Sequence, residues 1–319
     1  MTPFEQQILD TIQDAFPLVE RPYKALADLF NEQGGAVSEQ QVFDAVETLR
    51  SSEVIRRIGG IYDSRRLGFI SRLCAGKVED IEKFSTAVNE IPAITHNYVR
   101  SHEFNVWFTV IAENEADVLK VVDRLCSETD LHDVHVLTVT KKFKIDTVMT
   151  RGPRHTTVAT ATELKSRTLD LSDRIRIRVA CTDIPHTLTP FADWGVSVEE
   201  LREDIACGFM RRFGAILRHQ QAGFAFNAMV CFSSSEIRIQ NSEFVCGEIL
   251  AKNPHISHCY ERPAFEGFPY SLYAMMHAQS ADDLNRYIKE VAQSIGNPDY
   301  AVLHSVNELK KTSFVFFAE

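Results

Sequence analysis

The chain lacks the motifs that identify several large classes of enzyme. Its 319 residues contain no Gly-rich phosphate loop, no nucleophile elbow and no His-Glu-x-x-His metal motif. The seven cysteines include no Cys-x-x-Cys pair, which argues against a structural zinc site or a disulfide framework and favours a reducing cytoplasm. We therefore expect a cytoplasmic protein that builds no metal site of its own.

Long apolar runs and an excess of positive charge are also absent. No stretch approaches the roughly 20 apolar residues that cross a bilayer, and Met1 to Ala15 does not read as a signal peptide. The net charge of -10 opposes non-specific binding to a phosphate backbone. We expect neither a membrane nor a nucleic acid as partner.

What the chain does contain is its own motif twice. RRIGG at Arg56–Gly60 returns as RRFGA at Arg211–Ala215, and THNYVR at Thr95–Arg100 returns as SHCYER at Ser257–Arg262. The order and the rough separation are kept. Two homologous units in tandem are therefore predicted, each about half of the chain.

The first unit begins with three short amphipathic helices and a β-branched segment. Ser38 with Gln41 predicts a capping box at the third helix, and Val54–Tyr62 followed by a polar turn predicts a β-hairpin. Together they predict a winged helix-turn-helix. From Phe69 the order strand, helix, strand, strand, helix, strand predicts a ferredoxin-like βαββαβ domain.

The second unit repeats this plan in shorter form, with Ser197 and Glu200 as its capping box. The fold class is thus α+β, a tandem duplication of a winged helix-turn-helix plus a ferredoxin-like domain. The expected domains are 1–66, a winged helix-turn-helix that does not bind DNA; 67–146, the first ferredoxin-like domain; 147–168, a linker; 169–221, a reduced winged helix-turn-helix; and 222–319, the second ferredoxin-like domain.

The predicted reading helices have the wrong charge for DNA. A helix in a DNA groove presents Arg, Lys, Asn or Gln to phosphates and bases. The third helix instead carries Glu39, Asp44 and Glu47, and its counterpart carries Glu199, Glu200, Glu203 and Asp204. A regulator that senses an amino acid or a tetrapyrrole is therefore the alternative and not the first interpretation.

Basic residues cluster around the two predicted hairpins and behind the two His-x-Tyr motifs. The guanidinium fork suits bidentate binding of carboxylates, so these positions predict a small polyacidic ligand. The alternative for any single one is a surface ion pair of about 0 to 1 kcal/mol. The recurring arginines are Arg56, Arg57, Arg100, Arg211, Arg212 and Arg262.

The His-x-Tyr-x-Arg spacing occurs on both predicted strands. Because strand side chains alternate with a period of two, His96, Tyr98 and Arg100 project to one face, as do His258, Tyr260 and Arg262. Each set combines a titratable proton donor, a phenol and a fixed cation. Aromatics that follow, among them Trp107 and Tyr270, could form a flat wall for a planar ligand, although core packing is the usual role of such residues.

These motifs resemble those of the siroheme decarboxylase family, which is built on the Lrp/AsnC architecture. The first unit resembles one of its two subunit types through FPLVERPYKALA, IRRIGGIYDSRRLGF and THNYVRSHEFNVWFTV. The second resembles the partner type through MRRFGAILRHQQAGFAFNAMVCF and SHCYERPAFEGFPYSLYAMMHA. The chain thus looks like a fused form of a pair of subunits.

The resemblance implies a carboxy-lyase of heme d1 or alternative heme biosynthesis. It would remove carbon dioxide from the C12 and C18 acetates of siroheme and give 12,18-didecarboxysiroheme. No cofactor is implied, because the iron enters with the substrate. We expect His96, His258, Tyr98 and Tyr260 to be catalytic, and the six recurring arginines with Trp107 and Tyr270 to bind the substrate.

The resemblance also implies an intrachain pseudo-dimer. Association of two chains, contacts with other heme d1 pathway proteins, the choice between one composite site and two equivalent sites, and iron ligation by a His are left open by the sequence.

Overall fold

The structure, a computed structural model, describes residues 1–145, 167–218, 226–233, 246–311 and 314–317. The chain forms two compact units, each assembled from both repeats. The first comprises Met1–Gly68, Val148–Ala222 and Val315–Glu319, and the second comprises Phe69–Thr147 and Gly223–Phe314. Almost all of the predicted linker lies outside the described residues.

The elements follow one another in the order predicted for a duplicated chain. They are α1 (Pro3–Asp14), α2 (Pro22–Glu32), α3 (Glu39–Ser51), β1 (Ile55–Tyr62), β2 (Ile70–Lys77), α4 (Ile81–Glu90), β3 (Ile94–Arg100), β4 (Val106–Ala112), α5 (Glu115–Glu128), β5 (His132–Leu137), β6 (Lys141–Ile145), α6 (Leu171–Ala180), α7 (Pro190–Trp194), α8 (Val198–Ala206), β7 (Met210–Leu217), β8 (Phe226–Phe232), α9 (Cys246–Lys252), β9 (Ile256–Glu261), β10 (Leu272–Ala278), α10 (Ala281–Ser294) and β11 (Tyr300–Lys311). Among the described residues, no helix has the length and apolarity to span a membrane.

The helix starts of the first unit follow the capping signals in one repeat and depart from them in the other. Ser38 caps α3: its Oγ accepts from the Gln41 N–H, and Gln41 Oε1 accepts from the Ser38 N–H at 2.8 Å, so the predicted box is confirmed. At α8, Ser197 Oγ accepts from the Glu200 N–H, but the reciprocal bond is absent. That second box was wrong, because the Glu200 carboxylate lies 3.4 Å from Nη1 of Arg176 instead.

The strands of the first unit pair across the repeats. The expected hairpin of Val54–Tyr62 with a strand from Leu67 was wrong: β1 pairs antiparallel with β7, while β2 lies in the sheet of the second unit. Gly59 faces Gly214 at the centre of this ladder. A Cβ on Gly59 would lie 2.5 Å from the carbonyl oxygen of Thr182, and one on Gly214 would lie 2.6 Å from that of Ile12. Glycine is required because the end of a helix from the other repeat packs on each strand.

The second unit holds one sheet of nine strands in the order β5-β2-β4-β3-β11-β8-β10-β9-β6. It contains two ferredoxin-like halves with the same internal order, β5-β2-β4-β3 and β11-β8-β10-β9. The last strand of each half continues onto the other half. Residues Ser305–Lys311 of β11 pair with β3, and β6 pairs with β9.

Three apolar clusters stabilise this unit. One lies between the first half of the sheet and α4 and α5, and another between the second half and α9 and α10. The third contains Trp107, Leu137, Met229, Tyr273 and Leu303 and thus draws on both halves. The face of the sheet away from the helices is therefore an internal seam between the repeats, and the residues of the recurring motif border this seam.

Candidate active site

The recurring motif occupies the same place in each half of the second unit. On β3, His96 lies opposite Thr109 and Tyr98 opposite Trp107. On β9, His258 lies opposite Met275 and Tyr260 opposite Tyr273. Directly paired residues share a face of an antiparallel sheet. Because Trp107 and Tyr273 belong to the seam cluster, the motif side chains lie on the seam side of the sheet.

Arg100 is buried in contact with the opposite half. Its side chain is 4 % exposed, and Nη1 donates to Ser305 Oγ at 2.6 Å and to the Leu303 carbonyl at 3.3 Å. The guanidinium lies over the Tyr98 ring, 4.6 Å from its centroid. The guanidinium of Arg100 and the ring of Tyr98, both on β3, thus pack together beside β11 of the other half.

Arg262 repeats this arrangement in the reverse direction. Its Nη1 donates to the Leu137 carbonyl at 2.9 Å, and its guanidinium lies 5.3 Å from the centroid of the Tyr260 ring. Leu137 of β5 is paired with Leu73 of β2, and Leu303 of β11 is paired with Met229 of β8. The two leucines therefore occupy equivalent positions in the two halves. The two arginines are therefore related by the internal duplication in their contacts as well as in the sequence.

In the part of the chain that the structure describes, neither of these guanidinium groups has a carboxylate partner. Among the same residues, the buried Nε atoms of Arg100 and Arg262 donate to no acceptor. Burial lowers the pKa of Arg100 to about 10 and also lowers the pKa of Arg262. A buried cation without a counter-ion is costly, so the seam favours an anionic ligand.

Each catalytic candidate has a hydroxyl neighbour at its Nδ1. Thr95 Oγ1 lies 2.9 Å from Nδ1 of His96, and Ser257 Oγ lies 2.9 Å from Nδ1 of His258. Both imidazoles are half-buried. In the tautomer whose Nδ1 accepts from the hydroxyl, Nε2 carries the ring proton. The hydroxyl residues precede the histidines directly in the sequence, a recurring signal that the motif analysis did not use.

The two predicted aromatic wall residues differ in exposure. Trp107 is 1 % exposed, and its indole N–H donates to the Phe104 carbonyl at 2.8 Å, so it supports the seam from within. Tyr270 is half-buried, with its ring 4.9 Å from that of Phe268. Direct contact of either residue with a substrate stays a prediction.

The arginines of the duplicated RR pairs lie in the first unit. Arg57 is buried, donates to the carbonyls of Gly60 at 3.3 Å and Thr182 at 3.5 Å, and burial lowers its pKa to about 10. Arg212 donates to the Gln13 carbonyl at the end of α1. These second members of each pair therefore bind helix ends, which carry partial negative charge.

The first members of the pairs are more accessible. Arg56 is half-buried on β1, and Arg211 is exposed with Nε 3.2 Å from Oδ2 of Asp63. A role of these four arginines in substrate binding stays a prediction.

The acidic residues of α8 differ in burial: Glu199 and Glu203 are exposed, whereas Asp204 is not. Asp204 is fully buried and accepts hydrogen bonds from Tyr62 Oη at 2.9 Å and from Arg176 Nη2 at 2.8 Å. Arg167 lies 3.3 Å from the same carboxylate and 3.8 Å from that of Glu203. This ionic cluster was missed because Arg167 and Arg176 lie far from α8 in the sequence.

Two grooves described on the surface do not involve the motif. They lie in the first unit, one lined by α1 residues such as Gln6 and Asp10 and the other by residues such as Val19 and Arg202. In the part of the chain that the structure describes, no three His, Cys, Asp or Glu side chains come together as a metal site.

Comparison with known families matches both parts of the fold. A model of the AsnC-like ligand binding domain matches residues 66–144 and 221–310. A model of the siroheme decarboxylase NirDL-like HTH domain matches residues 5–56. The predicted combination of a helix-turn-helix with a duplicated Lrp/AsnC-type domain is confirmed.

Individual relatives match over nearly the whole chain. A siroheme decarboxylase of Hydrogenobacter thermophilus is 32 % identical over 98 % of this chain and 95 % of its own. The alpha and beta subunits of the Desulfovibrio desulfuricans enzyme are 39 % and 33 % identical over 46 % and 44 % of this chain and over 82 % and 92 % of their own lengths. The crystal structure of the siroheme decarboxylase NirDL in co-complex with an iron-uroporphyrin III analogue has a TM-score of 0.69 at 27 % identity and covers 100 % of this chain and 95 % of that one. The chain belongs to the siroheme decarboxylase family.

Proposed function

We propose that this chain decarboxylates siroheme at the C12 and C18 acetates and releases 12,18-didecarboxysiroheme and two molecules of carbon dioxide. The observation that carries the proposal is the pair of buried guanidinium groups, Arg100 and Arg262, which lack carboxylate partners among the described residues. A macrocycle with eight carboxylates supplies such partners. Membership of the family and the porphyrin analogue bound by NirDL support the same ligand class.

The chemistry requires a place for an electron pair and a proton for carbon. When the bond between an acetate methylene and its carboxyl carbon breaks, the bonding electrons remain on the methylene and delocalise into the macrocycle. Protonation of that carbon gives a methyl group. We therefore propose that no organic cofactor takes part, because the substrate itself provides the electron sink.

The residues of the seam would divide this work. Arg100 and Arg262 would anchor carboxylates that do not react, since hydrogen bonds between charged groups are about twice as strong as neutral ones. His96 and His258 would deliver the proton from Nε2, with Tyr98 and Tyr260 positioning the acetates. General acid catalysis of this kind contributes about 10²- to 10⁴-fold.

The roles of the remaining predicted residues extend this proposal. Trp107 would keep the seam rigid beneath the macrocycle, and Tyr270 would cover an edge of it. Arg56 and Arg211 would bind peripheral carboxylates, while Arg57 and Arg212 would act through the strand and helix ends that they connect.

The test is anaerobic incubation of the protein with siroheme, followed by mass spectrometry of the extracted tetrapyrrole. We expect the mass of two carbon dioxide molecules to be lost. A heat-denatured sample serves as the control. An unchanged mass in the active sample, together with salt-dependent retardation of DNA, would instead indicate a regulator of the Lrp/AsnC type.

A further inference from the structure

The hydroxyl beside His258 has a second imidazole neighbour. Ser257 Oγ lies 2.9 Å from Nδ1 of His258 and 2.9 Å from Nε2 of His277. The Met275 carbonyl is a third, more distant neighbour at 3.3 Å. All of these groups belong to the adjacent strands β9 and β10, so the chain His277–Ser257–His258 lies within one rigid part of the sheet.

In the first half, the described residues place no second imidazole beside the hydroxyl of Thr95. Ile111 occupies the position of His277 in the first half. The Ile111 N–H donates to the Ala93 carbonyl at 2.9 Å, and the His277 N–H donates to the His255 carbonyl at 3.2 Å; each carbonyl lies just before the strand with the motif. Thr95 therefore lies beside His96 without a second imidazole among the described residues. The two halves differ at this one position in how the proton donor is supported.

We propose that His277 is a positioning residue that acts through Ser257 to hold His258 in the tautomer with its proton on Nε2. A serine hydroxyl donates one hydrogen bond and accepts up to two. Both ring nitrogens lie 2.9 Å from Oγ, closer than the Met275 carbonyl at 3.3 Å. We therefore assign the hydroxyl proton to one imidazole, and the other imidazole then donates to Oγ. When His277 Nε2–H donates, the Ser257 proton goes to Nδ1 of His258, and Nε2 of His258 carries a proton toward the substrate.

The donor is restored from solvent after each turnover. Once Nε2 of His258 gives its proton to carbon, that nitrogen takes one proton from solvent, while Nδ1 still accepts from Ser257 and His277 still donates to Ser257 Oγ. One proton thus leaves for the product and one enters, and the tautomer of His258 is kept. This step rests on the proposed function, whereas the tautomer of His258 does not depend on any substrate.

The test uses the full chain labelled with ¹⁵N-histidine. Two-bond ¹H–¹⁵N correlation spectra report which ring nitrogen of a neutral histidine carries the proton. In the wild type we expect His258 in the Nε2–H form, and in His277→Ile, which copies the first half, a mixture of both forms. Ser257→Ala should give the same mixture with no added side-chain volume, which guards against a folding defect of the first variant. Ile111→Val is the matched control and should leave both catalytic candidates unchanged.

Kinetics with siroheme provide the second measurement. Loss of one hydrogen bond corresponds to about a 3- to 10-fold effect, which we expect on kcat for His277→Ile and Ser257→Ala, with KM unchanged. His277→Gln, whose amide can still donate to Ser257, should recover most of kcat. An unchanged His258 spectrum in both variants, or an unchanged kcat, would overturn the inference. Absence of decarboxylation by the wild type would instead overturn the proposed function and leave the spectra to decide the tautomer.

Discussion

The two halves of the nine-stranded sheet match in their anchors and differ in the surroundings of their proton donors. Arg100 and Arg262 bind equivalent carbonyls of the opposite half and lie over equivalent tyrosines. By contrast, His277 in the second half is replaced by Ile111 in the first. The duplication has thus kept a twofold arrangement of buried guanidinium groups, while the surroundings of the two motif histidines have diverged.

The largest expected effect tests whether both donors act. His96→Ala and His258→Ala should each lower kcat by about 10²- to 10⁴-fold while binding of the macrocycle is kept. If each half serves its own acetate, each variant should accumulate a product that has lost one carbon dioxide, and mass spectrometry of a time course will show it. Equal slowing of both losses in each variant would indicate a single composite site. Full activity of both variants would remove the acid role.

A second comparison concerns the two helical parts of the first unit. The first is packed through apolar residues such as Ile8, Val46 and Leu49, whereas the second contains the buried Asp204 and Arg176. Asp204→Ala should lower the free energy of unfolding by about 3 to 5 kcal/mol, because it removes the fully buried partner of Arg176, which is then left with Asp173 and Glu200.

Chemical denaturation measures the effect of this substitution. Glu199→Ala in the same helix is the control, since Glu199 is exposed, lies 3.6 Å from Arg202 one turn away and accepts from Ser197 Oγ at 3.3 Å; we expect little change. If Asp204→Ala has the same free energy of unfolding as Glu199→Ala, the buried ionic cluster does not stabilise the first unit.

The smallest effect concerns the two anchors themselves. Arg100→Leu and Arg262→Leu should each weaken binding of iron-uroporphyrin by about 10- to 100-fold, in line with a hydrogen bond to a charged group. Without ligand, both variants should be at least as stable as the wild type, since a buried unpaired cation is removed.

Titration followed by absorbance, with thermal unfolding of the free protein, measures both quantities. Arg72→Leu is the matched control, because Arg72 lies in the same unit but already pairs with Glu115. If both seam variants bind iron-uroporphyrin with wild-type affinity, the two arginines do not anchor the ligand. If the two variants lose different amounts of affinity, the halves are alike in structure but not in their contribution to binding.

The sequence predicted the local elements well and the pairings between repeats poorly. The helix and the strand that were predicted after the first strand from Phe69 form at Ile81–Glu90 and Ile94–Arg100, because capping signals and period-two alternation act within a few residues. The partner of β1 could not be predicted, since its ladder runs to β7 in the other repeat. The His-x-Tyr-x-Arg motif was found because recurrence distinguishes it from chance. The backbone carbonyls that accept from Arg100 and Arg262 could not be predicted from the sequence, because every residue has a backbone carbonyl.

The exchange of final strands between the halves has a consequence for how such a protein could be divided. If the chain were cut into two polypeptides, each piece would carry one ferredoxin-like half whose second strand, β3 or β9, had lost its covering strand. An open strand edge of this kind invites aggregation. The two pieces would therefore have to be expressed together, because neither would be stable without the other. This requirement comes from the backbone hydrogen bonds between the halves and not from the catalytic residues.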